Sequence, residues 1–321
     1  MGAVEIEPIF VVGYSRSGTK FVCNLLEKGS LGEVEHVGEL HFFGRLSTDP
    51  QDKISAADAE IQLRKMALQY LRRKNCPFSS VDEIMSNRTP ESRVLGVLSQ
   101  IDVYHYFLSL ISSSRGVSKI CDGTPRNAYY IGEILDCFPN AKIIYMMRDP
   151  RDSVLSQKNK PKLVWSRGKK LEALRLALNY NPFFMAKFWQ SSVRCLEKYK
   201  HDNRVFIVRY EDMLDRPKAS LSSLSSFLEL PRLEEFSQLV RVGNKDKFTE
   251  GLSKLEISAI EATASEELRR YSYSPSAASW LQVFSVPLSI IRFIAVAPLV
   301  YIFNFGRFSK ALHEIKKRIF S

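Results

Sequence analysis

A glycine-bearing loop near the start of the chain is the first segment whose residue types could do chemistry. The loop Gly13–Lys20 (GYSRSGTK) follows the apolar run Ile9–Val12 and precedes apolar residues at helical spacing. This order predicts a strand, a loop and a helix. Such a loop offers backbone N–H groups and the positive end of the helix dipole to an anion. Small residues allow the anion to approach closely, and Arg16 adds a cation. The small residues are Gly13, Ser15, Ser17, Gly18 and Thr19.

The order of residues within the loop disfavours a magnesium–nucleotide site. The Walker A pattern GxxxxGK[ST] places lysine directly after the second glycine and a hydroxyl directly after the lysine. Here Thr19 precedes Lys20, and Phe21 follows the lysine. The arrangement suits a phosphate-like anion bound without a metal ion, and we predict no metal site. An ordinary strand–helix turn is the structural alternative.

A second candidate anion site lies at the segment Arg148–Ser156 (RDPRDSVLS), which follows an apolar run. Pro150 suits the first position of a helix, and Asp149 could cap that helix. Arg148 would then stand at the end of a strand and Ser156 two turns into the helix. Arginine is suited to bidentate contacts with phosphate. The alternative is a surface cluster of ion pairs.

Strand and helix signals alternate along the chain, which predicts an α/β fold with a parallel sheet covered on both faces. Besides Ile9–Val12, the runs 142–147 and 204–209 are predicted strands, and 117–121 is a weaker one. Helical stretches are predicted near 55–74, 93–113, 127–137, 169–200 (broken around Pro182) and 253–270.

Three segments together resemble the sulfotransferases that use 3′-phosphoadenosine 5′-phosphosulfate (PAPS). Gly13–Lys20 is similar to their 5′-phosphosulfate loop and Arg148–Ser156 to their 3′-phosphate motif. Val205–Leu214 (VFIVRYEDML) resembles the strand and turn that follow. The resemblance covers roughly residues 8–273. It implies a P-loop-like central parallel sheet flanked by helices, metal-free sulfuryl transfer, and release of adenosine 3′,5′-bisphosphate (PAP).

A narrower resemblance concerns Gly38–Phe43 (GELHFF), which is similar to a segment of heparan sulfate 3-O-sulfotransferases and related bacterial enzymes. In those enzymes the glutamate is the catalytic base, which implies that role for Glu39. Gly123-Thr-Pro125 resembles their K-T-P segment, but a glycine stands where they have lysine. Lys119 or Lys20 could substitute for it, or the acceptor could be bound differently. The departure weakens the case for a heparan-type acceptor.

The resemblance also implies roles for the remaining site residues. Glu39, with His41 as second choice, would remove the proton of the acceptor hydroxyl. Arg16, Lys20 and the loop amides would stabilise the charge that accumulates during transfer. PAPS is the expected co-substrate. The residues expected to bind it are Arg16, Ser17, Gly18, Thr19, Lys20, Arg148, Ser156 and, on a looser match, Lys245.

Composition limits the class of protein. The 321 residues are 45% hydrophobic and 25% charged, which is typical of a folded globular chain. A net charge of +11 favours a polyanionic ligand, but no nucleic-acid-binding module is recognisable. Five cysteines without a CxxC pair favour reduced thiols in the cytoplasm. We expect a cytoplasmic protein, with peripheral membrane association as a further expectation.

The C-terminal segment differs in composition from the rest. Residues 271–279 have the composition of a linker, and residues 281–303 contain a single charge, Arg292. Residues 306–320 are basic, and their apolar side chains recur on one helical face. Arg292 disfavours a membrane span, and Pro287 and Pro298 are expected to break the helix. We favour docking of 281–321 on an anionic membrane surface; packing on the catalytic domain and a true span are the alternatives.

The sequence therefore predicts a sulfotransferase domain at 1–275 and a hydrophobic, basic segment at 276–321. The expected reaction moves the sulfuryl group of PAPS to a hydroxyl of a carbohydrate, lipid or small-molecule acceptor. A lipid-linked acceptor would agree with docking on a membrane. The alternatives are a P-loop kinase using ATP and magnesium, and a non-catalytic membrane-associated protein that binds PAP or polyanions.

Overall fold

A computed structural model describes residues 5–46, 48–87, 98–240, 245–276 and 279–304. The strands are β1 Glu7–Gly13, β2 Val34–Gly38, β3 Lys53–Ile54, β4 Leu98–Ser99, β5 Lys119–Asp122, β6 Lys142–Met147 and β7 Val205–Arg209. The first helices are α1 Thr19–Gly29, α2 Ala56–Leu71, α3 Val81–Ser86, α4 Gln100–Arg115, α5 Ile131–Cys137, α6 Pro150–Ser166 and α7 Lys170–Leu178. The later helices are α8 Pro182–Glu197, α9 Tyr210–Asp215, α10 Pro217–Leu228, α11 Phe248–Gly251, α12 Lys254–Thr263, α13 Ser265–Arg270 and α14 Ser279–Asn304.

Five strands form the main sheet in the order β2-β5-β1-β6-β7. β1 pairs in parallel with β5 and β6, and β2 pairs in parallel with β5. The carboxyl ends of these strands meet at one edge, since Asp122 is in register with both Phe10 and Gly38. Ligands of parallel α/β sheets bind beyond this edge. The predicted α/β fold with a parallel sheet flanked by helices is confirmed.

The contacts divide the chain into two compact units. The sheet unit contains the strands through Met146, β7, the helices α1–α5, α9 and α10. Its core packs α1 and α10 against the sheet, with residues such as Val11, Leu26 and Leu224 fully buried. The predicted strands at 9–12, 117–121, 142–147 and 204–209 all lie in this unit.

The helical unit contains α6–α8, α11–α14 and the loop residues Tyr14–Ser17. Its core joins α6, α8 and α12 through buried residues such as Val154, Ala186 and Ile260. The predicted helix at 169–200 is present as α7 and α8, interrupted before Pro182 as expected. The boundary predicted at residue 275 stays a prediction, since the described part of the C-terminal segment groups with the helical unit.

Several local expectations need correction. α14 runs unbroken through Pro287 and Pro298, so each proline removes one backbone hydrogen bond without ending the helix. The described part of the expected linker is anchored, since Arg151 Nη1 donates to the Ser274 carbonyl (2.8 Å). The helix expected from 93 begins at Gln100 among the described residues, and 93–97 lies outside them. The basic helix expected at 306–320 also lies outside the described residues.

α14 has the reverse of the usual amphipathic pattern. Ser285 and Ser289 are buried on the face that packs against α12, α7 and α8, whereas Val283, Ile291 and Ile294 are exposed. The stretch Val283–Asn304 has 22 residues, long and apolar enough to cross a membrane by length and composition alone. Of an 18-residue window within it, 11% is buried.

Candidate functional site

The two basic segments singled out in the sequence meet within the helical unit. Arg16 Nε donates to Ser156 Oγ (2.9 Å), and Arg148 Nη1 donates to the Arg16 carbonyl oxygen (3.0 Å). Trp189 Nε1 donates in turn to the Arg148 carbonyl oxygen (3.0 Å). Residues more than 130 positions apart in the chain are thus brought together. We call Arg16, Arg148 and Ser156 the arginine cluster.

The start of α6 explains how the arginine cluster is positioned. Pro150 is the first residue of α6, and the Asp149 carboxylate accepts the Arg151 N–H (2.8 Å), as the sequence predicted. Ser156 follows two turns later on the same helix. The Gln157 amide donates to the Tyr14 hydroxyl (2.6 Å), which anchors the loop that carries Arg16.

Ser17 contributes an observation that a bound anion would explain. Its side chain is fully buried, and its hydroxyl has no hydrogen-bond partner within the described part of the chain. A buried hydroxyl without a partner costs free energy unless a ligand or water satisfies it. Together with the guanidinium groups of Arg16 and Arg148, the Ser17 hydroxyl forms a set of hydrogen-bond donors that fits a phosphate-bearing nucleotide such as PAPS.

Lys245 lies on a segment tied to α6. The Asp152 carboxylate accepts the backbone N–H of Asp246 (2.9 Å) and of Phe248 (3.0 Å). Arg148 Nη2 lies 4.0 Å from the same carboxylate. Burial raises the pKa of Asp152, although the Arg148 charge acts in the opposite direction. The exposed Lys245 thus neighbours α6, which carries Ser156 and begins two residues after Arg148.

Arg151, the second arginine of the RDPRD segment, has a structural role. Arg151 is 4% exposed and donates to Asp149 (2.7 Å) and to Glu261 (2.6 Å). Its guanidinium also lies 4.1 Å from the centre of the Phe248 ring. The alternative of a surface ion-pair cluster is therefore wrong for Arg151, because these ion pairs are buried. From the sequence alone, the structural role of Arg151 could not be told apart from the anion-binding role expected of Arg148.

In the sheet unit, Gly18 sets the backbone conformation directly before α1. Its φ of +99° is left-handed, and a Cβ there would lie 2.8 Å from the Tyr210 ring. Thr19 and Lys20 follow as the first residues of α1, and the first amides of a helix have no carbonyl of that helix to bond. The predicted order of strand, loop and helix is present. Anion binding at the start of α1 stays a prediction.

Glu39 and His41 lie just beyond β2, also in the sheet unit. His41 Nε2 is 3.4 Å from Glu39 Oε2, and the two side chains are 33% and 46% exposed. The backbone N–H of His41 donates to Thr124 Oγ1 (3.1 Å). This hydrogen bond fixes the loop in a conformation in which the φ of His41 is +55°, a value that residues other than glycine rarely adopt. A carboxylate and an imidazole are therefore held together at the solvent-accessible edge of the sheet.

A buried network fixes Thr124 from below. The Thr124 hydroxyl donates to Asp122 Oδ1 (2.5 Å), and the Tyr104 hydroxyl donates to Asp122 Oδ2 (2.7 Å). Burial raises the pKa of Asp122 even though these hydrogen bonds favour its ionised form. Thr124 belongs to the Gly123-Thr-Pro125 motif. Its contact with His41 could not be predicted, because the two residues are 83 positions apart in the chain.

Packing explains why a glycine stands at position 123. A Cβ on Gly123 would lie 2.6 Å from Cys23 Sγ and 3.0 Å from His36 Nε2, so a lysine does not fit. Lys119 is engaged with Glu7 (3.2 Å) at the opposite end of β5, which makes it unsuitable as a substitute.

Lys20 is the better placed of the two candidate lysines. Burial, then the charge of Arg73 and then that of Lys20, lowers the pKa of His36 to about 3. Lys20 therefore acts on the imidazole that borders Gly123. Among the described residues, no group of three or more His, Cys, Asp or Glu is arranged to hold a metal ion.

Comparisons with known proteins show the family of the chain. The sulfotransferase family model matches residues 8–235. Cytosolic sulfotransferase 15 of Arabidopsis thaliana is 27% identical over 171 residues, which are 49% of this chain and 46% of that protein. An amine sulfotransferase of Oryctolagus cuniculus is 32% identical over 100 residues, covering 30% of this chain and 32% of that protein. The alignments thus span less than half of these curated relatives.

Among solved structures, a sulfotransferase from Mycobacterium avium aligns with a TM-score of 0.49 and 16% identity. The alignment covers 86% of this chain and 79% of that structure. The narrower resemblance to heparan sulfate 3-O-sulfotransferases stays a prediction.

Proposed function

Because the chain belongs to the sulfotransferase family, we propose that it transfers the sulfuryl group of PAPS to an acceptor hydroxyl and releases PAP. The observation that carries this proposal is the arginine cluster, in which Arg16, Arg148 and Ser156 converge from distant positions. Permanent cations beside a hydroxyl suit a phosphate group held without metal.

Arg148 and Ser156 of the arginine cluster would bind the 3′-phosphate of PAPS, with Lys245 as a further cation. The buried Ser17 hydroxyl, Gly18, and the first amides of α1 at Thr19 and Lys20 would bind the 5′-phosphosulfate. These groups hold the donor by its permanent charges, so the sulfur is presented in a fixed orientation for in-line attack.

Glu39 would accept the proton of the acceptor hydroxyl, with the adjacent His41 as the second candidate. The hydroxyl oxygen donates its electron pair to sulfur and forms the new S–O bond. The bond from sulfur to the phosphate oxygen breaks, and its electron pair leaves with PAP. Arg16 and Lys20 would stabilise the negative charge on the departing phosphate, an effect of about 3–4 kcal/mol per well-placed donor.

The acceptor is proposed as a hydroxyl of a carbohydrate, a lipid or a small molecule. A lipid-linked acceptor is the version that the exposed apolar face of α14 supports. We infer that the protein works in the cytoplasm, as the name of the Arabidopsis relative suggests for that protein, and that it docks on an anionic membrane surface through residues 281–321.

Thermal unfolding with nucleotides tests the donor. We expect PAP without metal to raise the melting temperature, because ligand at about 100 times its dissociation constant adds about 2.7 kcal/mol of stability. Arg148→Ala should lose the effect, and the exposed Arg216→Ala should keep it. Stabilisation only by ATP with magnesium would favour a kinase. Stabilisation by PAP with no turnover on any hydroxyl acceptor would favour a non-catalytic PAP-binding protein.

A further inference from the structure

A cavity of about 680 Å³ lies beneath α14 in the helical unit. It is bordered by α6, α7, α8, α12 and α14, and its volume is in the range of small-ligand sites. We call it the α14 cavity. Its charged lining residues are Lys158, Lys162, Glu256 and Arg292. These four residues lie outside the proposed site of sulfuryl transfer.

The charges of the α14 cavity do not cancel. Glu256 is engaged with Lys158 Nζ (2.7 Å) and accepts the Tyr180 hydroxyl (2.7 Å). These contacts lower the pKa of Glu256 although burial acts in the opposite direction. Within the described ranges, Arg292 and Lys162 have no carboxylate within ion-pair distance. The cavity therefore presents two uncompensated cations to a ligand.

Arg292 is held in place by an aromatic ring. Its guanidinium carbon lies 5.8 Å from the centre of the Tyr180 ring, whose hydroxyl is tied to Glu256. A guanidinium over a ring keeps its N–H groups directed outward for a bidentate contact. Arg292 is exposed, so a ligand can reach it from solvent.

The rim of the α14 cavity is apolar on the solvent side. Leu288 lines the cavity and is 49% exposed, and Ile291, next to Arg292, is 62% exposed. Exposed apolar side chains beside an uncompensated arginine match a ligand that has an anionic head and a hydrocarbon body. A membrane lipid with a phosphate headgroup has this chemistry.

We propose that the α14 cavity binds the phosphate headgroup of an anionic membrane lipid, with Arg292 and Lys162 on the phosphate and the exposed face of α14 against the acyl chains. This rests on the membrane docking proposed above and deepens it, because it replaces general charge attraction with a defined site. It also assigns a reason to Arg292, which at the centre of a bilayer would cost about 3 kcal/mol on insertion scales.

Vesicle co-sedimentation of the full chain tests the site. The two vesicles are pure phosphatidylcholine and an equimolar mixture of phosphatidylcholine with phosphatidylglycerol. The variants are Arg292→Gln and Lys162→Gln, with Lys218→Gln, an exposed position on α10, as the charge-matched control. We expect Arg292→Gln to lower affinity for the mixed vesicles by about tenfold or more, and Lys218→Gln by about fivefold or less.

The outcomes separate the occupants. Equal losses for Arg292→Gln and Lys218→Gln would overturn the site in favour of general electrostatic attraction. Loss of glycerol phosphate binding in Arg292→Gln, with vesicle binding equal to that of the wild type, would assign the cavity to a soluble phosphate ester. A dimer in vesicle-free buffer that Ile291→Gln dissociates would assign the face to a second copy of the chain. Each result contradicts the lipid site.

Failure here can be told from failure of the proposed reaction. The rise in melting temperature with PAP is measured on the same protein samples, and Arg292→Gln should retain it in full. If the wild type binds neither vesicle yet is stabilised by PAP, the lipid site and membrane docking are wrong while sulfuryl transfer stands. If PAP has no effect but Arg292→Gln loses lipid, the lipid site stands alone.

Discussion

The loop beyond β2 and the start of α6 carry the proposed reactive groups, and they are built in opposite ways. Beside the Glu39–His41 loop, burial governs protonation: the pKa of Asp122 is raised and that of His36 is lowered. At the start of α6, arginines keep their charge in ion pairs and hydrogen bonds. Side chains that can change protonation, such as Glu39 and His41, suit a proton transfer, and the permanent charges of the arginines suit a fixed anion.

The largest expected effect tests the proton-transfer side of this comparison. Glu39→Gln keeps the shape of the side chain but removes the base, so turnover with PAPS should fall about 100- to 10,000-fold. Binding of PAP, measured by calorimetry, should be unchanged. A variant with normal turnover would remove Glu39 from the mechanism and make His41→Gln the next variant to test.

The next effect tests the ion pairs of α6. Arg151→Met should lower the free energy of unfolding by about 3–5 kcal/mol, because Asp149 and Glu261 would be left buried without their cation. Arg270→Met is the control, since its pairs with Glu197 and Glu266 lie at the surface and should contribute about 1 kcal/mol or less. Equal losses in urea unfolding would contradict a buried structural part for Arg151.

Gly123→Ala tests the packing that excludes a lysine. The new methyl group would press on Cys23 Sγ and His36 Nε2, and overpacking of this kind costs about 1–3 kcal/mol. The double variant with Cys23→Ala should recover part of the loss, because the shorter side chain gives room. If Gly123→Ala alone is as stable as the wild type, the space is larger than described.

A further effect concerns the pH dependence of stability. The pKa of His36 is about 3 in the folded chain and about 6.5 in an unfolded one, so the folded state favours the neutral ring. This contribution is complete above about pH 6.5 and is lost as pH falls, by up to about 1.4 kcal/mol per pH unit. His36→Gln should flatten the decline in unfolding free energy between about pH 6.5 and pH 4. The exposed His201→Gln should not, and an unchanged slope in His36→Gln would contradict the burial of a neutral ring.

The sequence predicted β1, β6 and β7 because each is a continuous apolar run, and it predicted α6 from Asp149 and Pro150. It did not predict β2, since Glu35 and His36 occupy two of its five positions. Those residues are buried through partners distant in sequence, such as Arg73, which pairs with Glu35 at 2.7 Å. Long-range pairing of this kind leaves no local signal.

The candidate site shows the same division. Local motifs indicated Arg16 for one anion site and Arg148 with Ser156 for a second. The hydrogen bonds that join the three residues were not predicted. The parts of Arg151 and Thr124 could not be predicted, because they depend on Glu261 and His41, which are distant in the chain. The unbroken helix α14 was also not predicted, because Pro287 and Pro298 were expected to end it. That expectation did not include the packing of α14 against α12.

The most direct test of the central claim is calorimetric titration of PAP into wild type and Arg148→Lys in the presence of EDTA. We expect EDTA to leave wild-type binding unchanged. We also expect Arg148→Lys to weaken binding by about tenfold or more, because the ammonium keeps the charge but loses the planar fork. Binding that requires magnesium, or that is equal in the two proteins, would contradict a metal-free donor site at the arginine cluster.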